Sequence, residues 1–293
     1  MPDLTDLAAI DLATAIKARE VSCLEVMQTF LERIDTLNPT LNALINLAPQ
    51  EDCLMLARQA DNAIHAGNYR SWLHGIPIAI KDLSNAQGFS TTSGSALFTD
   101  YMPSHDDPHV ERIRTAGGIV IGKTNVPEWG LGGHTENSVF GLTCNARDQA
   151  VSAGGSSGGA ATAVASHMLP LADGSDMMGS LRTPAAFQSL VGFRPTPDAV
   201  PVPTEMDPME LGLVSIGPIA RNVADATALF LTVSGQARVL PSQLTPTSPL
   251  SPIRIGWLGD AGGYWPVEEG ILTDCEKGLA RLTLAGASVD LCN

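Results

Sequence analysis

The chain has 293 residues and a formal charge of −14, with 31 acidic against 17 basic side chains. That balance argues against a nucleic-acid groove, which needs clustered Lys and Arg. Hydrophobic residues make up 44% and the mean hydropathy is +0.10, yet there is no uninterrupted run of about 18 apolar residues, so no membrane span is predicted.

The N-terminal stretch "MPDLTDLAAIDLATAIKARE" opens with acids instead of a basic segment and an apolar core, which argues against a signal peptide. "DLAAIDLATAIKARE" carries its apolar residues at helical spacing. Ser22 stands three residues before Glu25, a capping-box pattern for a helix to about Leu37, stopped by Asn38 and Pro39. A third helix, about Glu51 to Ala66, ends at Gly67. The pattern then alternates. Residues 76–80, "IPIAI", read as a strand. Asp107 and Pro108 offer an N-cap and an N1 proline for a helix through Arg114. "GIVIG" (118–122) is a strand, "GGAATAVASHML" (158–169) a helix, "PLADGS" (170–175) a strand and "NVADATALFLTVSG" (222–235) a helix. Residues 236–252 read as a long Pro/Ser/Thr-rich loop. "IRIGWLG" (253–259) is a strand, 267–287 a helix, and "ASVDLCN" the start of another strand. Strands alternating with helices imply an α/β sheet with helices on its faces.

Cys23, Cys53, Cys144, Cys275 and Cys292 are odd in number and form no CxxC. They read as reduced thiols of a cytoplasmic protein, neither a disulfide framework nor a zinc site.

Three stretches carry chemistry. An apolar strand runs straight into Lys81 in "GIPIAIKDLS", and such a lysine is either a snorkelling surface cation or a functional amine held neutral by burial. "SAGGSSGGA" (152–160) sets Ser156 and Ser157 between glycines ahead of a small-residue helix, whose start supplies free N–H groups. The alternative reading is a flexible linker or a tight turn. "DGSDMMGSLRTP" (173–184) puts Ser180 at a bend, where the amides of Met177, Met178, Gly179 and Ser180 could face a developing oxyanion. The alternative is a plain turn. A helix of about 11 residues spans roughly 16 Å and the following strand returns the chain, so Ser156 and Ser180 can meet at one end of the sheet.

"GIPIAIKD", "GKTNVPEWGLGG", "GGSSGG" and "GSDMMGSLRTPAAFQSLVGFRPT", in this order over residues 70–235, together resemble the amidase signature family of serine hydrolases. The resemblance implies an α/β fold with a mixed central sheet flanked by helices. An N-terminal helical region (1–68) would pack on a core (69–293) that lacks a C-terminal part. It implies hydrolysis of a carboxylic acid amide through an acyl-enzyme, with Ser180 as nucleophile, Ser156 as the bridging serine preceded by a cis peptide, and Lys81 as the final base. Arg182 matches a supporting arginine, Asp176 anchors the loop, and Ser157 stands beside the relay. His134, in "GGHTEN", is a pocket-lining candidate, a structural polar role being the alternative. No metal or organic cofactor is implied, and the partner is a small-molecule amide. A homodimer has only the general prevalence of symmetric dimers behind it.

Two departures from the family stand out. Its nucleophile loop commonly carries Gly-Gly-Ser, where this chain has Met178-Gly179-Ser180. Either Met178 is strained at positive φ, or it takes ordinary backbone and narrows the pocket with its side chain; the second reading is favoured. The chain also stops early. Two alternatives accompany the amidase reading: the glutamine-hydrolysing subunit of an amidotransferase, which shares the triad but is ranked lower for the Met178 variant, and a truncated, non-catalytic pseudo-enzyme.

Other motifs are set aside. "GGIVIGKT" (117–124) matches the P-loop spacing, but its interior is itself a strand and no helix follows. "HDDPH" (105–109) reads as a surface turn, because its histidines could share a metal only on one helix face. Nothing flanking Cys144 suggests an activated thiol, and it reads as a packing or loop cysteine.

Overall fold

The computed structural model describes residues 3–203, 212–236, 250 and 253–292. The loop read over 236–252 lies almost wholly outside the described residues. The chain divides into two compact units, Met1–Pro241 and Ser242–Asn293.

The first unit opens with helices α1 (Ala9–Ala18), α2 (Cys23–Leu41) and α3 (Gln50–His65). Their apolar stripes, such as Val26, Met27, Phe30 and Ile34 of α2, are buried in the same core as the strands. Carboxylates from elsewhere in the chain satisfy free amides at the starts of α1 and α2. Asp225 accepts from Ala9 and Ile10 at 2.9 and 3.0 Å, and Asp61 from Cys23 and Leu24 at 2.7 and 3.1 Å. The capping box of Ser22 and Glu25 forms as read. Helix α2 does not stop at Pro39 but runs to Leu41. A proline in the last turn forfeits one intrahelical bond, and Asn42, in left-handed backbone, closes the helix instead.

Two three-stranded ladders form the platform. Strand β1 (Leu44–Ile45) is antiparallel to β3 (Ile119–Thr124), and β3 is parallel to β2 (Pro77–Lys81). Strand β6 (Leu171–Asp176) and the short β7 (Val191–Gly192) both pair antiparallel with β8 (Ser215–Ala220). Strand β2 runs beside β6, and there a side chain replaces the backbone ladder: Lys81 N–H donates to Asp173 Oδ1 at 2.9 Å. The sheet is therefore mixed, in line with the sequence reading. Helices α4 (Pro108–Thr115), α5 (Gly158–Ala165), α6 (Arg182–Phe187) and α7 (Val223–Val233) pack against it, and a small hairpin, β4 (Glu136–Asn137) with β5 (Gly141–Leu142), lies apart from the two ladders.

Strand β8 was illegible in sequence because Pro218 interrupts it. Phe193 N–H donates to Pro218 O, so the backbone edge of residue 218 faces the β7 side, just past the end of β7, and β6 loses no donor. Helix α5 is four residues shorter than read, because His167 adopts left-handed backbone at φ 63° soon after its end.

The second unit pairs β9 (Arg254–Trp257) in parallel with β10 (Ser288–Leu291), connected through α8 (Ile271–Leu284). Among the described residues, no helix is long and apolar enough to cross a membrane.

Candidate active site

Every residue of β2 is buried, including Lys81 at its end. A β-bulge between Ile78 and Ala79 gives β3 one extra residue at this point, the kind of irregularity that re-aims side chains near a site. Lys81 Nζ lies 2.8 Å from Ser156 Oγ, 3.0 Å from Ser175 Oγ and 3.2 Å from Ser175 O. Burial pulls its ammonium down to about 7, against the opposing charges of Asp173 and Asp176. The sequence reading left open whether this lysine was a surface cation; it is fully enclosed.

Ser156 reaches Lys81 from the loop before α5, and the Gly155–Ser156 peptide is cis. Small residues let α5 lie directly on the strands. A Cβ at Gly159 would stand 2.3 Å from Asn125 N and 2.7 Å from Ala43 O. Ser157 ties the two serine loops together: its N–H donates to Ser180 O at 3.2 Å and its hydroxyl to Ser175 O at 3.3 Å.

Ser180 and Ser156 line one cavity of about 680 Å³, together with Ser175 and Met177. The two hydroxyls make no hydrogen bond to each other. Asp176 anchors the loop that carries Ser180. Its carboxylate accepts from Gly179 N (2.8 Å), Leu181 N (3.1 Å) and Arg182 Nε and Nη2 (3.0 and 3.1 Å), with Arg194 Nε at 3.3 Å. Burial alone would raise this carboxyl, but the Arg182 and amide hydrogen bonds outweigh it and hold it down at about 2.

Three sequence expectations change here. The Gly179 amide is committed to Asp176, so any oxyanion contact falls to the amides of Met177, Met178 and Ser180. The positive φ in this loop belongs to Gly179 (φ 121°), and Met178 takes ordinary backbone, as favoured. Its side chain does not narrow the cavity, however: it is 86% exposed, and Met177 lines the wall instead. His134 is exposed and does not line the cavity; its Nδ1 meets Ser152 Oγ at 2.6 Å on the outside of the loop.

"HDDPH" is only half a surface turn. His105 is exposed, but Asp107 and His109 are buried, because α4 begins at Pro108 and its first turn faces β6. The P-loop resemblance is empty: Lys123 is buried in β3, where its Nζ donates to Ser84 O (2.6 Å) and Thr91 Oγ1 (2.9 Å) and pairs with Asp82 (3.4 Å). Cys144 is a packing cysteine whose carbonyl accepts from Thr162.

Residues unread in sequence complete the site. Ser175 and Asp173 alternate along β6, a period-two signal that places both on one side of the strand. Tyr101, Trp129 and Leu131 build an apolar wall of the cavity. Trp129 holds left-handed backbone at φ 58°, uncommon for a bulky residue; its N–H donates to Ser93 O at 2.7 Å and its ring meets Phe98 edge to face, centroids 5.1 Å apart.

Residues 25–292 match the model of a family described as Amidase. The A subunit of the glutamyl-tRNA(Gln) amidotransferase of Acidothermus cellulolyticus is 40% identical over 242 residues, which cover 80% of this chain and 46% of that protein. Among solved structures, the peptide amidase of Stenotrophomonas maltophilia superposes with a TM-score of 0.84 at 30% identity, over 98% of this chain and 62% of its own. A bacterial aryl acylamidase of the amidase signature enzymes gives 0.85 at 29% identity, over 98% of this chain and 61% of its own. The chain thus spans about half to three fifths of the length of these proteins. The four sequence motifs, the mixed α/β fold and the family match agree, and the chain belongs to the amidase family.

Proposed function

We propose that the chain carries the catalytic centre of an amidase that cleaves a carboxylic acid amide to a carboxylate and ammonia or an amine. The observation that carries this reading is the 2.8 Å contact of Lys81 Nζ with Ser156 Oγ in a buried pocket that opens on the cavity shared with Ser180. With Lys81 held at about 7, a large share of the amine is neutral near pH 7. The oxygens of Ser175 can take two amine hydrogens, which turns the lone pair toward the Ser156 hydroxyl. Ser156 passes its proton to Lys81 and takes one from Ser180. Ser180 Oγ then attacks the amide carbonyl, and loop amides receive the oxyanion. The proton returns through Ser156 to the leaving nitrogen as the C–N bond breaks. Water, deprotonated by the same relay, cleaves the ester and restores Ser180. For this the Ser180 hydroxyl turns onto Ser156, a contact that often tightens only with substrate bound.

A second reading is favoured by the 40% identity to one component of an amidotransferase: glutamine as the amide, with ammonia passed to a partner. The apolar wall of Tyr101, Trp129 and Leu131 suits a bulkier, less polar amide better. The test is release of ammonia or amine from glutamine, aliphatic, aryl and peptide amides, by the parent chain and Ser180→Ala. A folded Ser180→Ala chain with at least about 1,000-fold less turnover is expected; undiminished release would remove the assignment.

A further inference from the structure

Lys81 is held at two points. Its Nζ faces Ser156 and Ser175, while its backbone N–H donates to Asp173 Oδ1 at 2.9 Å. The other oxygen of the same carboxylate, Oδ2, faces His109 Nε2 at 3.2 Å. Asp173 is 1% exposed and His109 is fully buried. One side-chain pair thus links the end of β2, the middle of β6 and the first turn of α4. Oδ1 accepts from the Lys81 N–H, and Oδ2 accepts from the His109 ring when that ring carries its hydrogen on Nε2. Among the described residues, His109 Nδ1 is buried without a partner. With the hydrogen placed on Nε2, the ring leaves no N–H donor unpaired at Nδ1.

The remaining charges around the pair come from three elements. Asp107 stands at the start of α4 and faces both His109 and Lys123. Lys123 of β3 faces Asp82, Asp107 and Asp173, and Asp176 of β6 faces Lys81 together with Asp173. Lys123 is neutralised locally by Asp82 at 3.4 Å, and Asp176 by Arg182 and Arg194. Asp173 is the acid bonded to the Lys81 backbone, and among the described residues its one side-chain partner is His109.

We propose that His109 is a positioning residue for Lys81: by donating from Nε2 it keeps the Asp173 carboxylate charged and fixed against the lysine, and so sets the pH at which Lys81 gives up its proton. The inference rests on Lys81 being the base of the amidase relay. A buried carboxylate that loses a donor relieves its charge by taking up a proton. Lys81 then loses an attractive neighbour and becomes neutral at lower pH.

The chain suits a direct test, because its only lysines are Lys17, Lys81, Lys123 and Lys277. Lysine labelled with 15N at Nζ would be titrated by NMR, with the Lys81 signal assigned by its loss in Lys81→Met. Asp173→Asn, which still accepts the Lys81 amide, and His109→Phe, which keeps a ring without a donor, should each lower the Lys81 midpoint by about one pH unit. His109→Gln retains an N–H donor and should stay near the parent; His109→Leu stands in should the Phe variant not fold. A Lys81 midpoint unmoved by Asp173→Asn and by the donor-free His109 variants overturns the inference. If Lys81 shifts as expected in a chain whose Ser180 nevertheless takes no covalent serine probe, the coupling of His109 to Lys81 stands and the hydrolase reading on which its catalytic use rests falls.

Discussion

Two buried ionisable residues, both with lowered pKa, govern the site at the scale of single side chains: the fold disfavours the charged form of Lys81 and favours that of Asp176. Lys81 is lowered from 10.5 to about 7 by burial. Between those values the unfolded chain binds the extra proton, so this group's contribution to stability improves as pH rises from 7 to 10.5. Below pH 7 the full cost of burying the cation is present, on the order of 5 kcal/mol. Lys81→Met removes that cost but forfeits contacts with Ser156 and Ser175 worth about 1 kcal/mol each. Urea unfolding should find the variant more stable than the parent by about 2 kcal/mol near pH 6, with the gain gone near pH 8 and turned into a loss of about 2 kcal/mol by pH 10. A gain that does not change with pH would contradict the buried cation. Asp176 has the opposite sign. Its carboxyl is held at about 2 against 3.8 in the unfolded chain, so its contribution is present above pH 3.8 and lost as pH falls through 2. Asp176→Asn should therefore cost about 2 kcal/mol at pH 7 and nothing near pH 2. The residues of the site differ in how legible they were. Lys81, Ser156 and Ser180 stand in motifs whose glycines and apolar flanks mark them out. Ser175, Asp173 and His109 carry no such flag, because their importance lies in which strand or helix turn faces which, and that is a tertiary fact.

At the scale of elements, the site depends on small residues where backbones touch. Helix α5 starts directly after the serine loop and lies on the strands through Gly159, where a Cβ would meet backbone atoms of Asn125 and Ala43. Backbone cannot rotate away as a side chain can. Gly159→Val should cost about 3 kcal/mol in thermal unfolding and displace Ser156 from Lys81, so that activity falls by more than the loss of folded protein accounts for. A variant as stable as the parent would contradict this contact. The strong periodic helices and the apolar strands β2 and β3 were readable within a few residues, since each carries its own period and caps. Strand β8 was hidden by Pro218, and β4, β5 and β7 have only two residues each, too few for any period to register. Helix α6 lies inside the nucleophile block, where a six-residue helix with a proline gives little periodic signal.

At the scale of the whole molecule, the residues of the proposed relay come from β2, the loop before α5 and the turn after β6, all within the first unit. The central claim is that these parts assemble a working serine nucleophile within the chain. The most direct measurement is labelling with a fluorophosphonate probe, the modified residue mapped by mass spectrometry and folding followed by circular dichroism. The account predicts modification at Ser180, at a rate that rises as pH passes through about 7 because Lys81 must be neutral, and loss of labelling in both Ser180→Ala and Lys81→Met. A folded chain that leaves Ser180 unmodified, or a Lys81→Met chain labelled as fast as the parent, would contradict it.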